Sequence, residues 1–381
     1  VMTMADNKDK KVLNVPALRF PEFTEEWNEY AIGKVLSIGN GRDYKHLHNG
    51  NIPVFGTGGY MTSVDDFLYD GESVFIGRKG TINKPLYYNG KFWTVDTLFY
   101  THSFVNVLPK FVYCLFQTIN WLKYNEASGV PSLSKATIEK IKVCIPSMDE
   151  QDKLSNLLFL LDKRIEVQNK IIEDLKKLKS AIVEMLFCIQ GGVLLRLGDI
   201  GSFVRGLTYS NEDITEDVNA TTVIRANNLN YGNNVNKEDV VYVNKKPAEI
   251  QILRKGDIVI CMSNGSSSLV GKNSYYSFDD RHSTIGAFCG VYRTSQQLVK
   301  WLMQSQRYKR LVYQSLQGGN GAIANLNGDD ILNMTFRVVE HEKNVSILSA
   351  LGLTENSIAV NENLQELYSA QKVYLLRHLF I

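Results

Sequence analysis

Two glycine-bounded basic stretches in the first half of the chain carry side chains suited to reading base edges. They are Gly41-Arg42-Asp43-Tyr44-Lys45-His46-Leu47-His48 and Gly77-Arg78-Lys79-Gly80-Thr81-Ile82-Asn83-Lys84. Arginine and lysine donate to guanine O6 and N7, asparagine and glutamine pair with adenine, and phosphate contacts only position a protein. The second stretch lies between apolar runs, and so much charge there is hard to assign to a core. Between the two, the glycines of Gly56-Thr57-Gly58-Gly59-Tyr60 permit close backbone approach. The second half offers Arg205-Gly206-Leu207-Thr208-Tyr209, then Arg225-Ala226-Asn227-Asn228 after Thr222-Val223-Ile224, then Ser263-Asn264-Gly265-Ser266 through Gly271-Lys272-Asn273. The candidate DNA contacts are therefore Arg42, Tyr44, Lys45, His46, Thr57, Tyr60, Arg78, Lys79, Thr81 and Asn83 in the first half. In the second half they are Arg205, Thr208, Tyr209, Arg225, Asn227, Asn228, Asn264, Ser266, Lys272 and Asn273. Any one of them also suits a solvated surface loop; as a set they favour contact.

Catalytic readings are weaker. Gly265 to Lys272 imitates a phosphate-binding loop, but five residues separate Gly265 from Gly271 and Asn273 stands where a magnesium-holding serine or threonine belongs. His46-x-His48 has no nearby cluster of acids or cysteines to complete a metal site. His282 beside Ser283 has no readable orienting acid. The eight prolines include no Pro-Pro pair of the kind adenine methyltransferases use, and no glycine fingerprint follows a strand. We therefore expect no catalytic residue, no metal and no bound cofactor.

The elements that would position these loops repeat. With Leu133 set against Leu326, an offset of 193, the register continues without a gap: Ile138 meets Ile331, Leu158 meets Leu351, Leu160 meets Leu353, Ile165 meets Ile358, Val167 meets Val360, Lys179 meets Lys372, and Leu186-Phe187 meets Leu379-Phe380. More loosely, Ile32-Gly33-Lys34-Val35 resembles Leu197-Gly198-Asp199-Ile200, and Asp70–Ile76 resembles Lys255–Cys261. A glycine loop precedes each long helix, Ser128–Leu133 and Gly318–Ala322. This reads as a duplicated scaffold with unlike tips.

The first long helix is expected from Met148 to Cys188, with Ser147 as a cap and Asp149 and Glu150 in the first turn. Steps of four and three from Leu154 give Leu158, Leu161, Ile165, Gln168, Ile172, Leu175, Lys179, Ile182 and Leu186, a coiled-coil seam. The same steps in the second helix give Ile347, Leu351, Thr354, Ile358, Asn361, Gln365, Tyr368, Lys372, Leu375 and Leu379. A helix of 40 residues is about 60 Å long, more than a small β domain needs for its own core. The two helices are expected to pair antiparallel, putting a domain at each end of a rod; pairing of each helix with another copy of the chain is the alternative. Gly191-Gly192 is the expected helix stop.

Composition sets the limits. A net charge of +2 gives no whole-protein attraction for nucleic acid, so binding must come from local clusters. The 44% apolar and 22% charged content suits ordinary globular domains, and 381 residues suit two of them. Five cysteines without CxxC spacing point to reduced thiols. No apolar run approaches membrane-spanning length and the polar first residues lack the apolar stretch of a signal peptide, so a cytoplasmic protein is expected. The expected layout is a tail over 1–22, β-rich domains over 23–146 and 191–339, and long helices over 147–190 and 340–381.

Two β-rich domains alternating with two repeated helices resemble the specificity subunits of Type I restriction-modification systems. Locally, Leu18-Arg19-Phe20-Pro21-Glu22-Phe23 with Trp27 looks like the start of a first target-recognition domain in that family. Ser132-Leu133-Ser134 through Ile145-Pro146-Ser147 and Glu150-Gln151 looks like its closing loop, last strand and helix start. The second copy, Val338-Val339-Glu340-His341-Glu342-Lys343-Asn344, lacks both the proline and the Glu-Gln. The resemblance implies an α+β fold, with two β-rich target-recognition domains separated by two long helices packed as an antiparallel coiled coil. It implies a non-catalytic subunit that reads a bipartite, asymmetric site in double-stranded DNA, one half-site per domain, with the helices as spacer. It implies two methyltransferase subunits and restriction subunits as partners, which would bring the S-adenosylmethionine, ATP and magnesium. The rival reading is a two-headed adaptor that binds protein or glycan.

Overall fold

Runs such as Val74-Phe75-Ile76 and Ile258-Val259-Ile260-Cys261 are apolar without alternation, and both are buried in central strands covered on two faces. The computed structural model describes residues 14–188, 190–317 and 324–381. The first half comprises β1 (Asn28–Ala31), α1 (Ile32–Val35), β2 (Ser37–Asn40), β3 (Asn49–Gly56), β4 (Gly59–Val64), β5 (Tyr69–Gly77), β6 (Leu86–Thr94), β7 (Leu98–His102), α2 (Pro109–Thr118), α3 (Lys135–Lys140), β8 (Lys142–Ile145) and the long α4 (Met148–Glu184). The second comprises β9 (Val193–Arg196), α5 (Leu197–Ile200), β10 (Ser202–Arg205), β11 (Ile214–Thr215), β12 (Thr221–Ile224), β13 (Val241–Val243), β14 (Ile258–Cys261), β15 (Ser263–Asn264), β16 (Asn273–Tyr275), β17 (Ser283–Ile285) and β18 (Cys289–Arg293). It continues with α6 (Leu298–Leu302), α7 (Gln306–Gln317), β19 (Ala324–Asn325), α8 (Gly328–Leu332), β20 (Thr335–Val338) and α9 (His341–Leu379).

The two halves are wired alike. The order β2-β7-β5-β6 in the first sheet is matched by β10-β18-β14-β16 in the second, antiparallel throughout. β3 runs parallel to the end of β6, as β12 does to β17. β1–β8 and β20–β9 are the antiparallel pairs that close each domain before its long helix. The difference is one of continuity. β6 makes both pairings itself, whereas the second copy splits that work between β16 and β17, so its sheet separates in two. The intervening segment is pinned by Lys237, whose Nζ donates to Asp280 Oδ2 at 2.6 Å and to Ser283 Oγ at 3.1 Å.

The chain divides into two compact units, and the division falls within the long helices. One unit runs to Lys170 and takes in Glu362–Ile381; the other is Ile171–Asn361. In the first unit the start of α4 meets the end of α9: Leu154 and Leu158 share a core with Leu379 and Phe380, and Lys372 Nζ lies 2.5 Å from Asp162 Oδ1. In the second unit Val183 and Leu186 share a core with Ile347, Leu348 and Leu351. In both, the N-terminal part of one helix faces the C-terminal part of the other, which is antiparallel packing. Every seam position from Leu154 to Leu186 and from Ile347 to Leu379 is buried or half-buried. The polar break at Lys372 is occupied by its pairing with Asp162, and Lys179 sits 5.9 Å from the Trp301 ring centroid.

Three expectations need correction. Residues from Asn14 onward are not tail: Asn14 O accepts from Trp27 N, Leu18 N donates to His378 O, and Arg19 forks onto both Glu150 oxygens at 2.8 and 2.7 Å. The first helix ends at Glu184 rather than Cys188, because Met185, Leu186 and Phe187 close i–3 turns and Phe187 then bridges to Val338. The linear boundaries at 147–190 and 340–381 describe helices, but each helix is shared between the two compact units. The glycine loop 318–322 and residues 1–13 lie outside the described residues.

The missing Glu-Gln of the second copy also has an explanation. Gln151 is fully buried: its Oε1 accepts from Leu108 N at 2.8 Å, and its Nε2 donates to Pro146 O at 3.0 Å and Asn106 O at 3.2 Å. Asn344, at the matching position, keeps only the matching bond, Nδ2 to Val339 O at 2.9 Å, and its buried Oδ1 has no partner among the described residues. One methylene less shortens the reach, so the same device is present in reduced form.

Candidate nucleic-acid interface

In the first unit the candidate loops converge on the short connection between β6 and β7. Arg42 N donates to Thr94 O at 2.8 Å and Gly41 N to Leu98 O at 3.0 Å. Val95 N donates to Phe55 O at the end of β3, while Arg78 N and Lys79 N both donate to Thr97 O. Behind them Leu133 N donates to Arg78 O and Gly80 N to Pro131 O, which ties in the loop before α3. Gly41 is required here, since a Cβ would stand 1.9 Å from Val95 O. Thr57 Oγ1 lies 3.9 Å from where a Cβ of Gly80 would sit, so the β3–β4 turn joins the same group.

Three chain segments thus present Arg42, Lys45, His46, Thr57, Arg78, Lys79 and Thr81. Among the described residues no carboxylate pairs with Arg42, Lys45, Arg78 or Lys79. Arg78 lies 5.8 Å from the Phe99 ring centroid, which orients its guanidinium. Tyr44 is half-buried against Val54, Val64, Trp93 and Val95, so its ring supports the loop. The two histidines do different things: the His46 ring is 5.8 Å from Trp93, and His48 Nδ1 is 3.3 Å from Asp65 Oδ2. Asn83 and Tyr60 are exposed, and Tyr60 shares a hydrogen bond with Ser63 at 3.1 Å. Among the described residues no three or more His, Cys, Asp or Glu gather as a metal would need.

The second unit repeats most of this backbone arrangement. Leu207 N donates to Ile285 O, Gly286 N to Ile224 O, Met262 N and Ser263 N to Phe288 O, and Leu326 N to Met262 O. A Cβ on Gly206 would stand 2.1 Å from Gly286 O. These bonds pair Arg42 with Leu207, Arg78 with Met262, Lys79 with Ser263 and Thr97 with Phe288, and the two close approaches pair Gly41 with Gly206. The backbone is kept between the copies while nearly every side chain at the edge differs. Tyr209, Arg225, Asn227, Asn264 and Phe288 line one concavity of about 540 Å³. Arg225 and Asn227 both reach Asp239, at 3.5 and 2.6 Å, and the buried Nε of Arg225 has no partner among the described residues.

Some sequence-based candidates do not belong there. Asn228 is 2% exposed and turned inward: its Oδ1 accepts from Arg225 N and its Nδ2 donates to Asp239 O, so it builds the turn and lies out of reach of a base. Asn273 is 6% exposed and donates to Met303 O and Gly271 O. Lys272 lies 4.8 Å from the Tyr231 ring centroid on a separate concavity beside α7, so the loop 263–273 is divided between two faces. Gly271 serves packing, because a Cβ there would meet Val312 at 2.7 Å. Arg205 is exposed on β10, but the backbone counterpart of Arg42 is Leu207. Thr208 and Ser266 are exposed; Lys245 donates to Thr208 O, and Ser266 N donates to Asn264 Oδ1. Sequence reasoning missed Thr97 and Phe288, which carry no basic signature.

A family model described as the Type I restriction modification DNA specificity domain matches residues 24–177. The chain is 32% identical over 141 residues to the Type I restriction enzyme EcoKI specificity subunit of Escherichia coli (strain K12), covering 36% of this chain and 30% of that one. It is 24% identical to the MjaVIII specificity subunit of Methanocaldococcus jannaschii, covering 51% of this chain and 49% of that one. The matches therefore span less than half the length of these relatives. In structure it resembles the Type I restriction-modification S subunit from M. genitalium over 96% of this chain and 99% of that one, with a TM-score of 0.66 at 15% identity. Residues 24–177 thus match the specificity-domain model, and the fold is shared along almost the entire chain with that S subunit.

Proposed function

We propose that the chain is the non-catalytic recognition subunit of a Type I complex and reads a two-part, asymmetric site in double-stranded DNA. Each unit takes one half-site at the edge built around its β6–β7 or β17–β18 connection, and the paired helices set the gap. The observation that carries this is a single backbone cradle made twice with different side chains: such a device reads two unlike sequences in the same pose. Arg42, Arg78 and Lys79, which pair with no carboxylate among the described residues, supply charge-assisted donors to phosphate or guanine.

The partners are two copies of a methyltransferase subunit, joined by restriction subunits. Supporting this, Leu160 and Val167 are exposed by 68% and 50% in one unit, and Leu353 and Val360 by 67% and 58% at the matching positions of the other. Two equivalent apolar faces suit two copies of one partner. S-adenosylmethionine, ATP and magnesium belong to those partners, and the complex works in the cytoplasm. In the chain itself, no helix among the described residues is long and apolar enough to cross a membrane.

The test combines methylation-site sequencing of DNA from the native cell with binding assays on the chain plus its methyltransferase partner across salt concentrations. A bipartite motif with a fixed gap is expected, with binding that weakens steeply as salt rises. Replacing one recognition domain should change one half of the motif. A chimera that keeps both halves, or absence of salt-dependent binding to any duplex, overturns the reading in favour of an adaptor.

A further inference from the structure

The concavity of the second unit presents three chemically distinct groups. Asn227 turns its Nδ2 to Asp239, to the backbone O at 3.4 Å and to Oδ2 at 2.6 Å, so what it offers outward is Oδ1, an acceptor. Asn264 is the reverse. Its Oδ1 accepts from Ser266 N at 3.0 Å, so what it offers is Nδ2, a donor that also hydrogen-bonds the Cys261 thiol. Lining the same concavity is Phe288, 70% exposed, in the β17–β18 connection. A large aromatic side chain held in water beside polar readers has no role in the core of this unit. Met262 N and Ser263 N both donate to its carbonyl, so the ring is held on a rigid mount.

A donor, an acceptor and an apolar face are together complementary to one kind of base-pair edge. In the major groove an A·T pair shows adenine N7 as acceptor, adenine N6–H as donor and the thymine methyl as an apolar surface. A G·C pair shows acceptors and a donor but no methyl. We propose that this cleft reads an A·T pair in the major groove, with Asn264 donating to adenine N7, Asn227 accepting from adenine N6 and Phe288 packing on the thymine methyl. The inference rests on the DNA reading above and adds to it a base pair and a specificity-determining residue, Phe288. The first unit has Thr97 at this position and basic Arg78 and Lys79 in place of Met262 and Ser263, so the two half-sites differ in chemistry.

The experiment uses the chain with its methyltransferase partner and duplexes bearing the site found by methylation sequencing. Each thymine of the second half-site is replaced in turn by deoxyuracil, which removes only the methyl. One such duplex should bind the wild type about fourfold more weakly, the factor for roughly 0.8 kcal/mol per buried methyl-sized group. Phe288→Ala should bind the thymine and uracil duplexes equally, and Phe288→Leu should retain the difference. Because Phe288 is exposed, neither change threatens folding. If every uracil duplex binds the wild type within experimental error of its parent, or if Phe288→Ala still senses the methyl, the inference is overturned. Loss of all preference for the site by the wild type would instead overturn the DNA reading beneath it.

Discussion

Replacing Gln151 with alanine removes all three of its bonds at once. They join the start of α4 to Asn106 and Leu108 ahead of α2 and to Pro146 after β8. A typical hydrogen bond contributes about 1 kcal/mol net, and a buried donor left without a partner costs about 1–3 kcal/mol. Removal of the three bonds, with Leu108 N left unmet, should therefore lower the stability of the first unit by about 3 kcal/mol. Gln151→Asn reproduces the second copy: it should keep the Pro146 bond, as Asn344 keeps its bond to Val339, and cost about 2 kcal/mol. Urea unfolding followed by the fluorescence of Trp27 and Trp121, both buried in this unit, reads the change as a shift in midpoint at constant slope. Hydrogen exchange at Leu108 N reads it locally. If Gln151→Ala loses less than about 1 kcal/mol and Leu108 keeps its protection, the bonds are replaceable and the reasoning fails.

Two further outcomes follow from the electrostatics. Burial raises the Asp280 carboxyl, but hydrogen bonds from Lys237, Tyr276 and Ser283 outweigh it and hold the group at about 2. A carboxyl held low stabilises the fold above its unfolded pKa, so this contribution should fade as pH falls from about 4 to about 2, and Asp280→Asn should flatten the stability profile in that window. At the interface, neutralising Arg78 or Lys79 should lower the slope of log K against log salt by about 0.9 for each phosphate that the variant no longer neutralises. An unchanged slope would place these side chains away from the backbone of the duplex.

Much of this protein was legible in its residues because periodicity is a local property. The steps from Leu154 to Leu186 and from Ile347 to Leu379 follow helical spacing, and a gapless offset of 193 can only be duplication. The apolar runs at 74–76 and 258–261 are central strands for the same reason. Antiparallel pairing was also within reach, because two long seams need partners. Tertiary structure alone decided which polar residues face out. Asn227 and Asn228 are neighbours of identical type, yet one is exposed and the other buried, because a short 3₁₀ turn directs the second inward, where its Oδ1 accepts from Arg225 N. Lys272 looked like a partner of Asn264, but Gly271 packing on Val312 turns the chain to another face. Phe288 and Thr97 carried no signal at all, since their position depends on hydrogen bonds from residues far away in sequence. Composition and spacing determine what can be buried; only the folded backbone determines which donors and acceptors remain for a ligand.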